Sequence, residues 1–366
     1  MDDASLTDFV QAVCNESHLR VETDLGGGFV RLRSEEAERR QAAHDIRATE
    51  DALIELLRNS RDAHAHMIFV ATSKSDGKRK LVVIDDGDGV PETMRDLIFE
   101  PRVTSKLDTM HMDKWGVHGR GMALYAVRVN AAESCIVESK VGKGTALKAV
   151  FDTLRVSEKT DQSTFPTFEM TKSNSIAVRG PKNLLRACCE FAFEHRNQVS
   201  LYIGSASEIA ATLYAYGNAT LSILDRTFAQ GSDDIVLTKR LALAADEETF
   251  CEIAESIGLE MSTRTAYRIM KGEIKPVASL MELIQEALIA QMEAPSTASK
   301  KANANSSKRG KKPMHFAPEV LKSFEQKVKS DFADLSQAYY LNENVPISTQ
   351  VRGNQLIIRI PLTAED

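Results

Sequence analysis

Apolar positions along the 366-residue chain switch repeatedly between helical and extended spacing. Residues 34–63 contain few breakers and read as helical, with Leu53, Leu56 and Leu57 recurring as one buried stripe. LVVIDDGDGV at 81–90 is a continuous apolar run that ends in a glycine-rich turn, the pattern of a buried strand. After a loop-rich stretch at 100–115, residues 121–131 return to helical spacing, and 134–151 reads as a hairpin turning at Gly142 and Gly144. Mixed order within one such block predicts an α+β fold, a sandwich with helices on one face of a sheet.

A second alternation follows: a strand near SIAVRG, a helix across PKNLLRACCEFAFEH, a strand at VSLYIG and a helix at SEIAATLYAY, read together as a small α/β module at 160–235. Residues 240–292 have helical spacing. The pattern breaks at 293–313, EAPSTASKKANANSSKRGKKP, where nothing apolar offsets the entropy of ordering, so this stretch is read as a flexible linker. A tail at 314–366 offers one helix and one alternating strand. The expected division is therefore 1–155, 160–235, 240–292, the linker at 293–313, and 314–366.

Composition changes this picture little. With 43% apolar and 27% charged residues the chain is globular, and five cysteines without a CxxC pair suggest neither a disulfide framework nor a zinc knuckle. The net charge of −6 excludes a global signature for nucleic acid or acidic membranes. The linker alone carries a local +5, which a solvated tether and a nucleic-acid contact explain equally well. No apolar run approaches the ~18–20 residues of a membrane span, and the start MDDASLTDFV is acidic where a signal peptide is basic. A reducing, cytoplasmic setting is the expectation.

Candidate chemistry gathers in the first block. Glu55, Asn59, Asp62 and Ala63 fall at i, i+4, i+7 and i+8, one polar helical face beside the buried stripe. Taken alone, that is the pattern of a solvated face. Asp85, Gly87 and Gly89 follow at the end of the strand, where glycine permits close approach of backbone to a ligand or simply a plain turn. Gly116, Gly119 and Gly121 precede a helix, and amides at such a start can cradle phosphate. Gly142, Gly144 and Thr145 close the hairpin turn.

The four segments, in this order and spacing over about residues 40–152, resemble the Bergerat-type ATP-binding fold of the GHKL superfamily, to which DNA gyrase B, MutL, the large heat-shock chaperones and histidine kinases belong. The resemblance implies ATP and Mg2+ as ligands. Asn59 would hold the metal on the triphosphate, and Asp62 would belong to the same binding face. Asp85 would accept from the adenine amino group, Gly87 and Gly89 would make room for the base, and Thr145 would support that contact. Gly116, Gly119 and Gly121 would cradle phosphates beneath a lid at about 97–118. FEPRVTSK at 99–106 is similar to a histidine-kinase stretch and to the TSK of MutL, so Lys106 could reach a phosphate or be an ordinary exposed lysine.

Four residues before the metal-binding asparagine, histidine kinases usually carry Asn, whereas the ATPases carry the Glu that activates water. Glu55 stands there, so the resemblance leans towards hydrolysis with Glu55 as the base. HDIRAT at 44–49 resembles a phospho-acceptor box, the basis of a kinase alternative that phosphorylates in trans; a non-enzymatic ATP-gated adaptor is a third reading. His44 lies roughly 16–22 Å from the phosphate end at helical rise, without a separate hairpin to carry it. Module 160–235 occupies the position of the transducer domain of MutL and gyrase B, with Lys182 nominated by chain position alone. Farther on, Ala254 and Gly258 have helix-turn-helix spacing, and Arg264, Arg268 and Lys271 would face DNA from the next helix. The turn is about two residues too long for repressor-type units, and a plain helical bundle is the alternative. An ATP-dependent homodimer is a further expectation, and no membrane partner is expected.

Overall fold

The computed structural model describes residues 21–105, 111–118, 121–170, 176–228 and 231–292, with short stretches between 326 and 360. It divides into two compact units, Met1–Pro295 and Ser296–Asp366. The first opens with the hairpin β1 (Val21–Gly26) and β2 (Phe29–Leu32), then α1 (Glu36–Asp45) and α2 (Thr49–Asp62). The expected single helical stretch is two helices because Ile46 and Ala48 are extended, and the Asp51 carboxylate accepts from the amides of Arg47 and Ala48, each at 3.0 Å, starting α2 afresh. β3 (Met67–Ser75) and β4 (Lys78–Asp85) form a hairpin, β5 (Val103–Thr104) joins β2, and β6 (His111–Asp113) pairs with β7 (Gly116–His118). Then come α3 (Ala123–Asn130), the paired strands β8 (Glu133–Ser139) and β9 (Thr145–Asp152), and the hairpin β10 (Thr167–Met170) with β11 (Ile176–Arg179). α4 (Leu184–Glu194), β12 (Ser200–Gly204), α5 (Ala206–Thr220), α6 (Ile223–Phe228), α7 (Glu247–Ser256), α8 (Thr263–Met270) and α9 (Leu280–Met292) complete the unit.

The central sheet has the order β12-β3-β4-β9-β8, antiparallel except for β12, which runs parallel to β3. Its strands are apolar on both faces. Ile68, Val70, Leu81, Val83, Leu147 and Ala149 point to one side and pack with Leu53, Leu56 and Leu57 of α2, Val127 of α3 and Phe191 of α4. Phe69, Ala71, Val82, Ile84 and Ala146 point to the other and pack with Leu213 of α5, Phe250 of α7 and Ile269 of α8. Side chains of alternate residues leave a strand in opposite directions, so a sheet this apolar must be covered twice. The mixed α/β architecture is the expected one, and the helices of the first block, α1 to α3, lie on one face of the sheet as expected; the later segment 206–270 adds a second layer on the other face.

A correction concerns 160–235. β12 pairs with β3 from Ser200↔Met67 to Gly204↔Ala71, and Cys188, Cys189 and Phe191 of α4 lie in the same core as Leu53. The segment therefore extends the first sheet and does not stand apart from it.

In the second unit Ser348–Arg352 and Gln355–Arg359 form an antiparallel hairpin, where one strand was expected, and residues 326–329 are helical. The basic stretch 293–313 lies outside the described residues. Among the described residues no helix is long and apolar enough to cross a membrane.

Candidate nucleotide site

A cavity lies between α2 and the sheet, lined by Glu55, Arg58, Asn59 and Asp62 of α2 and its C-cap Ala63, Asp85 at the end of β4, Asp88, Gly89 and Val90 in the turn after it, Thr145 of β9, and Thr104, Ser105 and Gly121. Phe29, Val83, Ile98, Ile136 and Leu147 give it an apolar wall. The polar face of α2 is therefore not a solvated face: its stripe of Leu53, Leu56 and Leu57 enters the core, and the neighbouring stripe looks into the cavity.

Asp85 ends β4 two and four residues after Val83 and Leu81, so strand periodicity aims it at the α2 side. Only 4% of it is exposed, yet it accepts from Ser60 Oγ at 2.7 Å, the Gly87 amide at 3.0 Å and the Thr145 amide at 3.2 Å. Burial pushes its carboxyl up to about 6, and these hydrogen bonds hold back a larger rise. The turn after it is clamped to the end of α2: Asp88 N donates to Ala63 O at 2.7 Å, and a Cβ on Gly87 would lie 2.4 Å from the same oxygen. Gly89 has φ of +73°, and a Cβ there would sit 2.1 Å from Lys140 O. Both glycines serve the close packing of the turn against its neighbours. Thr145 Oγ1 meets the buried Ser139 Oγ at 3.1 Å, and that hydroxyl also accepts from Val90 N at 2.7 Å.

On α2, Asn59 Nδ2 donates to Glu55 O at 2.9 Å, leaving Oδ1 as the acceptor of the amide. An amide oxygen is a suitable ligand for a hard Mg2+ that keeps most of its waters and its phosphate oxygens. No group of three His, Cys, Asp or Glu arranged for a metal occurs among the described residues. Burial raises the Glu55 carboxyl from its ordinary value, against the pull of the Arg58 guanidinium. Asp62 pairs with Arg61 at 2.6 Å.

Arg58, Asp113 and Ser139 are the residues that sequence reasoning missed. Arg58 donates to Glu55 and, through Nε at 2.9 Å and through Nη2, to Asp113. An arginine at i+3 from a glutamate is common on any helix surface, and Asp113 is 55 residues away, so no local signal linked them.

Other expected site residues fall elsewhere. Gly116 is not at a helix start: Gly116–His118 is a strand, paired with His111–Asp113 through Met112↔Val117. The helix begins only at Ala123, and of the three glycines Gly121, with φ of +66°, lines the cavity and accepts from Arg102 N at 2.8 Å. Lys106 and Gly119 lie outside the described residues. Lys182 is exposed beside the N-cap of α4 and does not line the cavity. His44 is in the last turn of α1, a helix separate from α2. Arg264, Arg268 and Lys271 lie at the outer side of α8, whose Ala266 and Ile269 pack in the core on the far face of the sheet from the cavity; Arg268 pairs with Glu273 at 3.1 Å.

Residues 46–179 match the family described as histidine kinase-, DNA gyrase B-, and HSP90-like ATPase. The DNA mismatch repair protein MutL of two strains of Thermus thermophilus is 42% identical over 81 residues, which is 21% of this chain and 14% of that protein. MutL of Thermus aquaticus is 40% identical over 82 residues, 22% of this chain and 15% of its own length. The matched stretch thus spans about one seventh of these relatives. The mycobacterial sensor histidine kinase MprB is similar over 41% of this chain and 94% of its own, at 19% identity and a TM-score of 0.20.

Proposed function

We propose that the cavity binds ATP with Mg2+ and hydrolyses it, because residues 46–179 match the family described as histidine kinase-, DNA gyrase B-, and HSP90-like ATPase. The observation that carries this reading is the convergence of Glu55, Asn59, Asp85 and Thr145, from three separate elements, on one cavity with an apolar wall. Asp85 accepts a hydrogen bond from the adenine amino group, and the guanine carbonyl at the corresponding position would face its carboxylate without a donor. Val83, Ile136 and Leu147 cover the base. Asn59 Oδ1 would hold Mg2+, which would supply neutralisation of charge on the phosphates. Glu55 orients a water, whose oxygen attacks the γ-phosphorus. As the P–O bond forms, Glu55 takes the proton, and the bond to the ADP oxygen breaks with its electron pair on ADP. Glutamate, and not asparagine, at this position favours water over a side-chain acceptor.

Displacement of a fluorescent ATP analogue tests the site. ATP should compete at least tenfold better than GTP, on the order of one lost hydrogen bond to a charged group, and Asn59→Ala should weaken the Mg2+-dependent part of binding. Equal competition by GTP and ATP would remove Asp85 from the base-reading role.

A further inference from the structure

Arg58 stands beside Asn59 with a side chain only 5% exposed. Its Nη1 donates to Glu55 Oε1, while Nε and Nη2 together grip both oxygens of Asp113. Asp113 ends β6 at the turn of the β6–β7 hairpin, and its Oδ1 also accepts from the Trp115 amide at 2.9 Å, which shapes the turn. The hairpin tip is docked. The Trp115 ring lies 6.0 Å from Phe191 of α4, with the Lys114 ammonium 4.3 Å and the Arg58 guanidinium 5.9 Å from its centre. Lys114 also reaches Glu190 at 3.1 Å and Glu194 at 3.7 Å on α4.

We propose, on the strength of the ATPase reading above, that Arg58 is a positioning residue that couples docking of the β6–β7 hairpin tip to orientation of the Glu55 carboxylate. The guanidinium is a rigid planar fork. While Asp113 occupies its Nε and Nη2 edge, a single nitrogen remains for Glu55, and one carboxylate oxygen is held while the other is left to take a proton from water. Without Asp113 the fork swings to grip both oxygens of Glu55 and the water loses its acceptor. Without Arg58, the part-buried Glu55 carboxylate and the largely buried Asp113 carboxylate lose the cation they share, and the hairpin tip loosens from α4.

Trp115 is the only tryptophan in the chain, so its emission reports the docking directly. The experiment compares steady-state phosphate release and acrylamide quenching of Trp115 for the full chain, Arg58→Gln, Asp113→Asn and the double variant. Each single variant should lower kcat about 10- to 100-fold, the cost of a misplaced reacting group, and Asp113→Asn should keep the KM for ATP within about threefold of the parent because Asp113 does not line the cavity. Both should raise acrylamide quenching, and the double variant should be no slower than Arg58→Gln alone, since both changes remove one shared link. Asp113→Asn is isosteric and serves if Arg58→Gln does not fold. Additive losses in the double variant, or unchanged Trp115 quenching in both single variants, overturn the coupling. So does parental kcat in either single variant while turnover in the parent depends on Glu55. If the parent releases no Glu55-dependent phosphate, the ATPase reading falls and this inference with it.

Discussion

Replacing Asp85 with Asn should weaken ATP binding and strengthen the fold. In the folded chain the carboxyl is lifted from 3.8 to about 6 by burial, and holding it ionised costs the native state about 3 kcal/mol in neutral solution. The sign follows from proton uptake. Between these two values the folded chain binds more protons than the unfolded one, so the penalty is absent below pH 3.8, grows as pH rises, and is complete above about pH 6. Asn carries no such charge. Its carbonyl can accept from the Gly87 and Thr145 amides, and Ser60 can turn to accept from its amide nitrogen. Urea unfolding should thus find Asp85→Asn more stable than the parent by up to about 3 kcal/mol at pH 7.5, and the gain should shrink by about 1.5 kcal/mol at pH 5. Calorimetry should meanwhile show ATP affinity down about 10- to 100-fold, since a hydrogen bond to a charged acceptor is exchanged for an amide with a donor of its own. A variant that is less stable than the parent at pH 7.5, or that binds ATP as tightly, would refute the reasoning.

Gly87→Ala should destabilise the fold by about 1–3 kcal/mol in urea unfolding, because the new Cβ would meet Ala63 O at 2.4 Å, backbone against backbone; an unchanged midpoint would show that the turn moves freely. Asn59→Ala should reduce the stimulation of ATP binding by Mg2+ in calorimetry while leaving the fold intact, as its side chain makes a single bond within its own helix. Around α8 the stretch 246–275 holds seven acidic residues against four basic ones, so any salt-sensitive retardation of duplex DNA in a gel-shift assay should survive the double change Arg264→Ala and Arg268→Ala. Its loss would support the reading of α8 as a major-groove helix.

What could be read from the chain were features carried by local spacing. The polar face of α2, the strand ending at Asp85 and the turn before Thr145 each declare themselves through periodicity and glycine placement, and these are the elements that meet at the cavity. What escaped was set by contacts distant in sequence. β12 has the pattern of any buried strand, and nothing in SLYIG says that it pairs with β3 more than 130 residues earlier. The second helical layer follows from the apolar far face of the sheet, Phe69, Val82 and Ile84, and it can be inferred only once strands are known to lie side by side. Gly116 misled because glycine suits both a helix start and a tight hairpin, and the pairing of Val117 with Met112 decided between them. Arg58 and Asp113 become partners only when the hairpin docks.

The fate of the γ-phosphate tests the central claim most directly. The purified chain, and a Glu55→Ala variant, would be incubated with Mg2+ and γ-labelled ATP, and the label followed into free phosphate and into protein. The expected result is free phosphate from the parent and a rate about 10²–10⁴-fold lower from Glu55→Ala, with ATP binding retained, because the carboxylate acts on the water and not on the nucleotide. Acid-labile label on the protein that survives Glu55→Ala but is lost in His44→Ala would contradict the account in favour of phosphoryl transfer, and bound ATP that is never cleaved would contradict it in favour of a nucleotide-gated adaptor.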